Sequence, residues 1–326
     1  MADQGAVEPA KEVPFHIAFG IDANYFRYVA ITIVSILENN RDQVIHFHVL
    51  TEHVTDSVRN RFVELERAYN TTIEFHLPDL GIFRDLYEFS SSSQYSPAIF
   101  TRLMIPATLR GIADTVLYLD ADIICAGSIA DLRRVDMRDQ VLAAVSDERE
   151  TTVKNRCAAL NIQSGRYFNS GVMLINISNW LAADVTKQVF TVLKNSQRSF
   201  LHPDQDALNL VLGDTVVYID ERWNLRYNLE IMLRKKGQAH VWTGEGVFLH
   251  FTGPVKPWLN WNLHDSKDLF LHYQNLTPWR DAVLDPPKNY KEMRMYVRFL
   301  TRQKHYGQAA KWFGRYLFEK CRVKLA

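Results

Sequence analysis

Apolar residues follow two different periods along the first half of the chain. Residues 15–21, 45–50 and 72–77 are short, largely apolar runs, which is the pattern of buried strands. Between these runs, apolar residues recur at three- and four-residue spacing over 26–37 and again over 58–69, which predicts one apolar helix face each time. The order strand, helix, strand, helix, strand predicts a parallel sheet with helices on its faces.

The second half of the chain continues the α/β pattern. Residues 99–104 predict another helix, and the continuous apolar run 115–119 is typical of a central strand. Further strands are predicted at 141–145, 172–177, 216–219 and 247–251. We therefore expect an α/β fold with a Rossmann-like sheet. Ligands of such sheets bind beyond the carboxyl ends of strands, so Asp22, Asp120 and Asp122 are expected in one crevice.

Composition divides the chain into three regions. Residues 1–13 are polar, small and acidic and lack the apolar core of a secretory signal, so they predict a flexible leader and no export. Residues 14–264 contain the predicted sheet. Residues 265–326 follow a cluster of Trp and Pro and predict a small basic helical extension. The longest apolar stretch, 28–37, is about half the length that a bilayer requires, so no membrane-spanning segment is expected.

Bulk composition is that of a globular protein. The chain has 326 residues, 47% of them apolar, which suffices for one large core or two modest ones. Cys125, Cys157 and Cys321 are odd in number and far apart, which favours neither a disulfide framework nor a zinc cluster. A reducing, cytosolic compartment fits this cysteine usage.

Charge is distributed unevenly. Residues 288–326 carry eleven Lys or Arg against two Glu, a net of +9, whereas the preceding residues sum to −8. The same tail holds eight aromatic residues, and basic charge interleaved with rings is typical of a surface that docks on an anionic membrane. An ordinary helical subdomain with a solvated basic face is the alternative. The acidic body would repel a long polyanion, so no nucleic-acid partner is expected.

Two carboxylates stand two residues apart where a strand is predicted to end. Asp120 and Asp122 follow the apolar run 115–119, and both can turn toward one cation there. The spacing alone is weak evidence, because Asp204 and Asp206 repeat it and Asp is common at strand ends for turn reasons.

A second polar cluster strengthens the metal hypothesis. His250 ends the apolar run 247–249, and Gly253 and Lys256 follow in a loop suited to bringing backbone close to an anion. A lone His in this position is more often a partly buried core residue. If His250 meets Asp120 and Asp122, the set accommodates Mn²⁺ readily and Mg²⁺ less so, with phosphate oxygens completing the shell. These residue types point to an enzyme that binds a nucleotide sugar.

Two further motifs have both a structural and a functional interpretation. Asn169 and Gly171 precede an apolar strand, so they are either a turn or an amide and a close-approach glycine that face a sugar. Asp204 and Gln205 precede an apolar helix pattern, where an N-terminal capping cluster is the simpler interpretation.

Together these motifs resemble the retaining glycosyltransferases of family 8, most closely the bacterial lipopolysaccharide galactosyl- and glucosyltransferases. The resemblance runs from about residue 15 to the end and rests on residues 19–25, 117–122, 167–171 and 250–258, in family order. It implies a GT-A fold and a UDP-sugar donor.

The resemblance also implies roles for individual residues. The implied metal ligands are Asp120, Asp122 and His250. The implied donor-binding residues are Gly20, Asp22, Asn24, Arg102, Asp120, Ala121, Asn169, Gly253 and Lys256. The implied catalytic residues are Gln205, Asp204 and Asp147.

The expected activity is Mn²⁺-dependent transfer of galactose or glucose, with retained anomeric configuration, from UDP-galactose or UDP-glucose to a hydroxyl of the lipopolysaccharide core. The enzyme is expected in the cytoplasm, on the inner face of the cytoplasmic membrane. A sugar nucleotidyltransferase is one alternative, although it needs a glycine-rich loop after its first strand, where this chain has only Gly20. A non-catalytic polysaccharide-binding protein is another. Two mechanisms stay open: a nucleophile or charge stabiliser behind the anomeric carbon, or front-side attack by the acceptor.

Overall fold

The computed structural model describes residues 13–79, 81, 97–147, 150–195, 200–234 and 244–325. Apart from Val13, the predicted leader lies outside this part of the chain. The strands are β1 (Phe15–Gly20), β2 (Ile45–Leu50), β3 (Thr72–His76), β4 (Thr115–Leu119), β5 (Ile123–Cys125), β6 (Leu142–Ser146), β7 (Phe168–Asn176), β8 (Val216–Ile219), β9 (Leu225–Arg226) and β10 (Phe248–His250).

Seven of these strands form a central sheet in the order β3-β2-β1-β4-β7-β6-β8. The pairs β1–β2, β2–β3, β1–β4 and β6–β8 are parallel, and only β7 runs antiparallel to its neighbours β4 and β6. The predicted parallel α/β sheet is therefore confirmed. Strand residues alternate between its two faces, so Ile17 and Phe19 enter one apolar core while Ala18 enters the other.

The described helices flank the sheet. They are α1 (Phe26–Asn39), α2 (Asp56–Tyr69), α3 (Ile105–Thr108), α4 (Glu150–Leu160), α5 (Ile177–Ala182), α6 (Val185–Asn195), α7 (Pro203–Leu212), α8 (Leu229–Arg234), α9 (Ser266–Asn275), α10 (Tyr290–Arg302) and α11 (Tyr306–Leu325). Within the described residues, no helix is both long and apolar enough to cross a bilayer. Cys125 and Cys157 are buried and Cys321 is exposed, all as free thiols.

Three predicted elements differ from the structure. The segment predicted as a helix at 99–104 lies in a 3₁₀ helix, Pro97–Met104. Strand β7 begins at Phe168 rather than at residue 172, so Asn169 and Gly171 lie inside a strand and not in a turn before it. The acidic cluster at 204–206 does not provide the N-cap of α7, because the capping position is His202.

A small second sheet, β5-β10-β9, stands at the carboxyl end of β4. Only three residues separate β4 from β5, and this turn carries Asp120 and Asp122. Strand β10 runs antiparallel to β5, with His250 opposite Ile123, and the Phe251 amide donates to the Asp122 carbonyl at 2.9 Å. The small sheet therefore brings residues 120–122 and 250 together although 128 positions separate Asp122 from His250.

The C-terminal region is fastened to helix α1 by a contact that we call the α1 clasp, formed by Arg27, Tyr28, Trp258 and Asp285. The Trp258 ring stacks on Tyr28 with centroids 3.9 Å apart. The Asp285 carboxylate accepts hydrogen bonds from Arg27 at 2.7 Å and from the Tyr28 hydroxyl at 3.0 Å. The clasp holds the segments around Trp258 and Asp285 against the helix that starts four residues after Asp22.

Candidate active site

The two carboxylates of the β4–β5 turn and the imidazole of β10 converge. One ligand atom each of Asp120, Asp122 and His250 lies within 4.8 Å of the others. His250 Nε2 is 3.2 Å from Asp122 Oδ1 and 3.7 Å from Asp120 Oδ2. The three side chains are therefore close enough to share a single coordination shell.

A buried amide orients the imidazole. His250 Nδ1 lies 2.9 Å from Asn224 Oδ1, while Asn224 Nδ2 donates to Asn169 Oδ1 at 2.8 Å. Because Asn224 Oδ1 can only accept, His250 carries its proton on Nδ1 and directs the Nε2 lone pair at the carboxylates. A histidine that binds a metal through Nε2 needs this tautomer.

A lysine stands on the other side of Asp122. Lys256 Nζ donates to Asp122 Oδ2 and also to the Phe251 carbonyl at 2.6 Å. Burial alone would raise the pKa of Asp122, but the positive charge of Lys256 opposes burial most strongly, and the pKa is held below its ordinary value. Asp122 is therefore a carboxylate at neutral pH.

These residues fit a divalent cation. Asp122 Oδ1 is buried and has no hydrogen-bond partner, an arrangement that costs free energy unless a cation or a ligand engages the oxygen. Two carboxylate oxygens and one imidazole lone pair are ligands that Mn²⁺ accepts, whereas Mg²⁺ prefers oxygen alone. Asp120, Asp122 and His250 would hold the ion.

Arg102 links the carboxylate cluster to the interior of the site. Its guanidinium donates to Asp120 Oδ1 at 3.0 Å, pairs with Asp204 Oδ2 at 3.1 Å, and donates to the backbone and hydroxyl oxygens of Ser170. The Tyr118 hydroxyl donates to the same oxygen of Asp120. Burial raises the pKa of Asp204, and Arg102 opposes that effect. Arg102 therefore holds the side chains of Asp120 and Asp204 on the same guanidinium group.

Gln205 is held by three groups. Its Oε1 accepts from Asn169 Nδ2 at 3.1 Å and from the Ser170 amide at 3.0 Å, and its Nε2 donates to the Tyr167 hydroxyl at 3.0 Å. Tyr167 in turn donates to the fully buried Asp206. Asp206, which with Asp204 repeats the spacing of Asp120 and Asp122, thus stabilises the position of Gln205 through Tyr167.

Asp147, the third implied catalytic residue, pairs with a different arginine. It follows β6, is buried, and forms an ion pair with Arg226 of β9. Arg226 is the register partner of His250 in the small sheet. Asp147 is therefore coupled to the strand of His250 through Arg226.

The loop after β1 presents polar groups beside the same crevice. Asp22 Oδ1 accepts from the Asn24 amide at 2.8 Å, which closes a tight turn and leaves Asn24 exposed. Burial raises the pKa of Tyr25, and the charges of Asp122 and Asp22 raise it further, which shows that both carboxylates lie near its hydroxyl. Ala121 is partly exposed between the two carboxylates of its turn.

Three glycines allow close approach. A Cβ on Gly171 would lie 2.2 Å from His250 Cε1 and 2.9 Å from Asp120 Oδ2. A Cβ on Gly20 would lie 2.2 Å from Thr101 Oγ1. Gly253 has φ +83°, and a Cβ there would collide with Asn228. Gly171 thus leaves the space that His250 and Asp120 occupy at the candidate metal site.

Sequence reasoning missed four residues of this site: Tyr118, Ser170, Asn224 and Arg226. Asn224 and Arg226 are polar positions in an otherwise apolar segment, 223–227, which is the signal that was available. Tyr118 is concealed within the apolar run of β4, and Ser170 within the motif that was predicted as a turn.

The chain matches known proteins over most of its length. Profiles described as glycosyl transferase family 8 and as the C-terminal part of that family match residues 16–262 and 265–320. The lipopolysaccharide 1,3-galactosyltransferase of Salmonella typhimurium is 32% identical over 312 residues, 94% of this chain and 91% of that protein. The lipopolysaccharide glucosyltransferase WaaO of Escherichia coli is 32% identical over 308 residues, 93% and 89% of the two chains.

A solved structure has the same fold. The galactosyltransferase LgtC, crystallised with donor and acceptor sugar analogues, superposes with a TM-score of 0.69 at 23% identity, covering 81% of this chain and 96% of its own. The expected GT-A architecture is confirmed by this match. The family profile covers three quarters of the sequence, and the chain belongs to glycosyltransferase family 8.

Proposed function

We propose that this protein transfers galactose or glucose from a UDP-sugar to a hydroxyl of the lipopolysaccharide core, with Mn²⁺ and with retained anomeric configuration. The observation that carries the proposal is the convergence of Asp120, Asp122, His250 and Lys256 at the carboxyl end of β4. The two relatives at 32% identity, which are named for galactosyl and glucosyl transfer to lipopolysaccharide, support the substrate class.

Residues on both sides of the crevice would hold the donor. Asp22 and Asn24 would contact the uridine, and Lys256 and the Gly253 backbone would contact the diphosphate, because an ammonium and a glycine loop suit phosphate oxygens. Arg102, Asn169, Asp147 and Asp204 would form the polar wall around the sugar. When bound, Mn²⁺ supplies Lewis-acid stabilisation of the departing diphosphate.

The transfer breaks the bond between the anomeric carbon and the diphosphate oxygen and forms a bond from that carbon to the acceptor oxygen. UDP leaves, and the acceptor proton moves to a phosphate oxygen. Gln205 Oε1 already accepts two hydrogen bonds from Asn169 and Ser170, and an amide is a weak nucleophile. We therefore favour front-side attack by the acceptor. Gln205 would then be a positioning residue that orients Asn169 in the polar wall around the sugar.

The tail would bring the enzyme to its lipid-anchored acceptor at the inner face of the cytoplasmic membrane. Phe313 and Leu317 lie four residues apart on one face of α11, and Lys320 follows Leu317 by three residues on that face. Phe318 lies three residues after Arg315, so this ring is also beside a positive charge. Phe318 is 73% exposed and Phe313 is 47% exposed. Exposed rings beside positive charge fit an anionic headgroup surface, where rings enter the interface and cations meet phosphate.

Turnover is tested by incubating the protein with UDP-galactose or UDP-glucose, Mn²⁺ and a truncated core acceptor, and measuring released UDP. We expect Asp122→Asn to abolish metal-dependent release and the exposed control Asp281→Asn to leave it unchanged. Full release by Asp122→Asn would refute the metal assignment. Diphosphate made from UTP would identify a nucleotidyltransferase instead, and sugar binding without any release would identify a polysaccharide-binding protein.

Membrane association is tested by sedimentation with vesicles of phosphatidylglycerol or phosphatidylcholine. We expect binding to the anionic vesicles only, and a loss of about tenfold for Phe318→Ser, since a partly inserted ring contributes more than about 1 kcal/mol. Val283→Ser is the matched control, because Val283 is 82% exposed outside α11. Equal binding by the two variants would contradict the assignment of α11 as the membrane surface.

A further inference from the structure

A row of histidines crosses strands β1, β2 and β3 on one face of the central sheet. His16 Nδ1 lies 2.9 Å from His48 Nε2, and His48 Nδ1 lies 3.0 Å from His76 Nε2. Glu74 reaches the second of these contacts from β3, with Oε2 at 3.6 Å from His48 Nδ1 and 3.7 Å from His76 Nε2. The catalytic proposal uses none of these residues.

The arrangement follows from strand register. His48 is opposite Glu74 in the parallel β2–β3 pair, and His76 stands two positions further along β3, on the same face. The three ligand atoms therefore meet between two neighbouring strands, where the backbone fixes their positions. His48 is buried, whereas Glu74 is half-exposed, so an ion can reach the cluster from solvent.

We propose that His48, His76 and Glu74 form a second metal site, specific for a zinc-type ion and separate from the site at Asp120. Tetrahedral zinc with bonds of about 2.0–2.1 Å requires its ligand atoms to lie about 3.3 Å apart. The three observed separations, 3.0, 3.6 and 3.7 Å, bracket that value. Two imidazoles and one carboxylate, with water in the fourth position, are a common zinc ligand set.

His16 completes the site as an outer partner. A histidine that binds a metal through Nδ1 keeps its proton on Nε2, and His48 Nε2 points at His16 Nδ1. The bound ion would tie edge strand β3 to β2.

Zinc affinity of the metal-stripped chain tests the proposal. All measurements use the Asp122→Asn background, which removes one ligand of the other candidate site, and a chromogenic chelator as competitor. In this background we expect one equivalent of Zn²⁺, about tenfold or more weaker binding after His76→Asn or Glu74→Gln, and no change after His53→Asn, which replaces an exposed histidine.

Co²⁺ and thermal unfolding provide independent readouts. Co²⁺ bound to the Asp122→Asn protein should show the strong visible absorption of a tetrahedral ion, and Zn²⁺ should raise its unfolding midpoint. Both effects should vanish with His76→Asn, whose metal-free midpoint shows whether it folds. Unchanged zinc affinity in His76→Asn and Glu74→Gln, or a weak octahedral Co²⁺ spectrum, would overturn the proposal whether or not the enzyme transfers sugar.

Discussion

Asn224 allows a specific prediction because it contacts the proposed metal ligand His250 but is not a proposed ligand itself. It is fully buried, accepts the Nδ1 proton of His250 at 2.9 Å and donates to Asn169 at 2.8 Å. Replacing it with alanine removes both contacts but leaves every proposed metal ligand in place. The imidazole is then free to turn or to take the other tautomer, in which Nε2 carries a proton and cannot bind a metal.

The magnitude follows from these contacts. Loss of an outer hydrogen bond to a ligating histidine lowers metal affinity about 10–100-fold, or about 1.4–2.8 kcal/mol. The buried N–H of His250 also loses its acceptor, which lowers the free energy of unfolding by about 1–3 kcal/mol. Asn224→Asp restores the acceptor without the donor, so it should recover most of the Mn²⁺ affinity while the contact with Asn169 stays broken.

Free Mn²⁺, measured by electron paramagnetic resonance during titration, reports the affinity directly. Asn179→Ala is the matched control, since this amide also makes two hydrogen bonds, to the carbonyls of Arg138 and Gln140, near the opposite end of β7. Circular dichroism melts show whether each variant folds. If Asn224→Ala binds Mn²⁺ as tightly as the parent and the control do, the assigned tautomer and its role are wrong.

Three further predictions concern other parts of the molecule. Gly171→Ala places a methyl group against the imidazole and should lower Mn²⁺ affinity at least about tenfold. Asp285→Asn breaks the pair with Arg27 and should cost about 1–3 kcal/mol of unfolding free energy; because that pair lowers the pKa of Asp285, the deficit against the parent should shrink as pH falls below about 4. A thiol reagent should label Cys321 alone in the native protein, because burial raises the pKa of Cys125 to about 12.

Each of these three predictions has an outcome that would contradict it. Unaltered Mn²⁺ binding by Gly171→Ala would mean that the strand shifts without moving the ligands. A deficit of Asp285→Asn that is constant from pH 7 to pH 3 would show that the ion pair is not its source. Labelling of two or three thiols before unfolding would show that the buried cysteines are accessible.

Local patterns predicted the strands that bear the site, because their apolar runs end at polar loops. Strands β1, β2 and β3 end within one residue of the predicted positions. Strand β10 was predicted as a strand, but its membership of a separate sheet depends on pairing with β5, more than 120 positions away. Such a pairing leaves no trace in local periodicity.

The same contrast between local pattern and long-range pairing applies to the residues of the candidate site. Asp120, Asp122 and His250 were predictable because each follows or ends an apolar run. Asn224 and Arg226 were not, since they lie in a short 3₁₀ turn and a two-residue strand with no periodicity, and their roles depend on side chains of other strands. Both interpretations of the Asn169 motif put it ahead of the strand, whereas it lies inside β7; polar residues in a central strand cost free energy unless a site satisfies them.

The α1 clasp makes the loop of Asp22 and the segments around Trp258 and Asp285 one mechanical unit. Helix α1 carries Arg27 and Tyr28 in its first turn, directly after that loop, and Trp258 and Asp285 hold both side chains from at least 230 positions further along the chain. Chimeras that exchange residues 265–326 between related enzymes would therefore disturb the loop of Asp22, which we propose contacts the donor, unless the start of α1 is exchanged along with them.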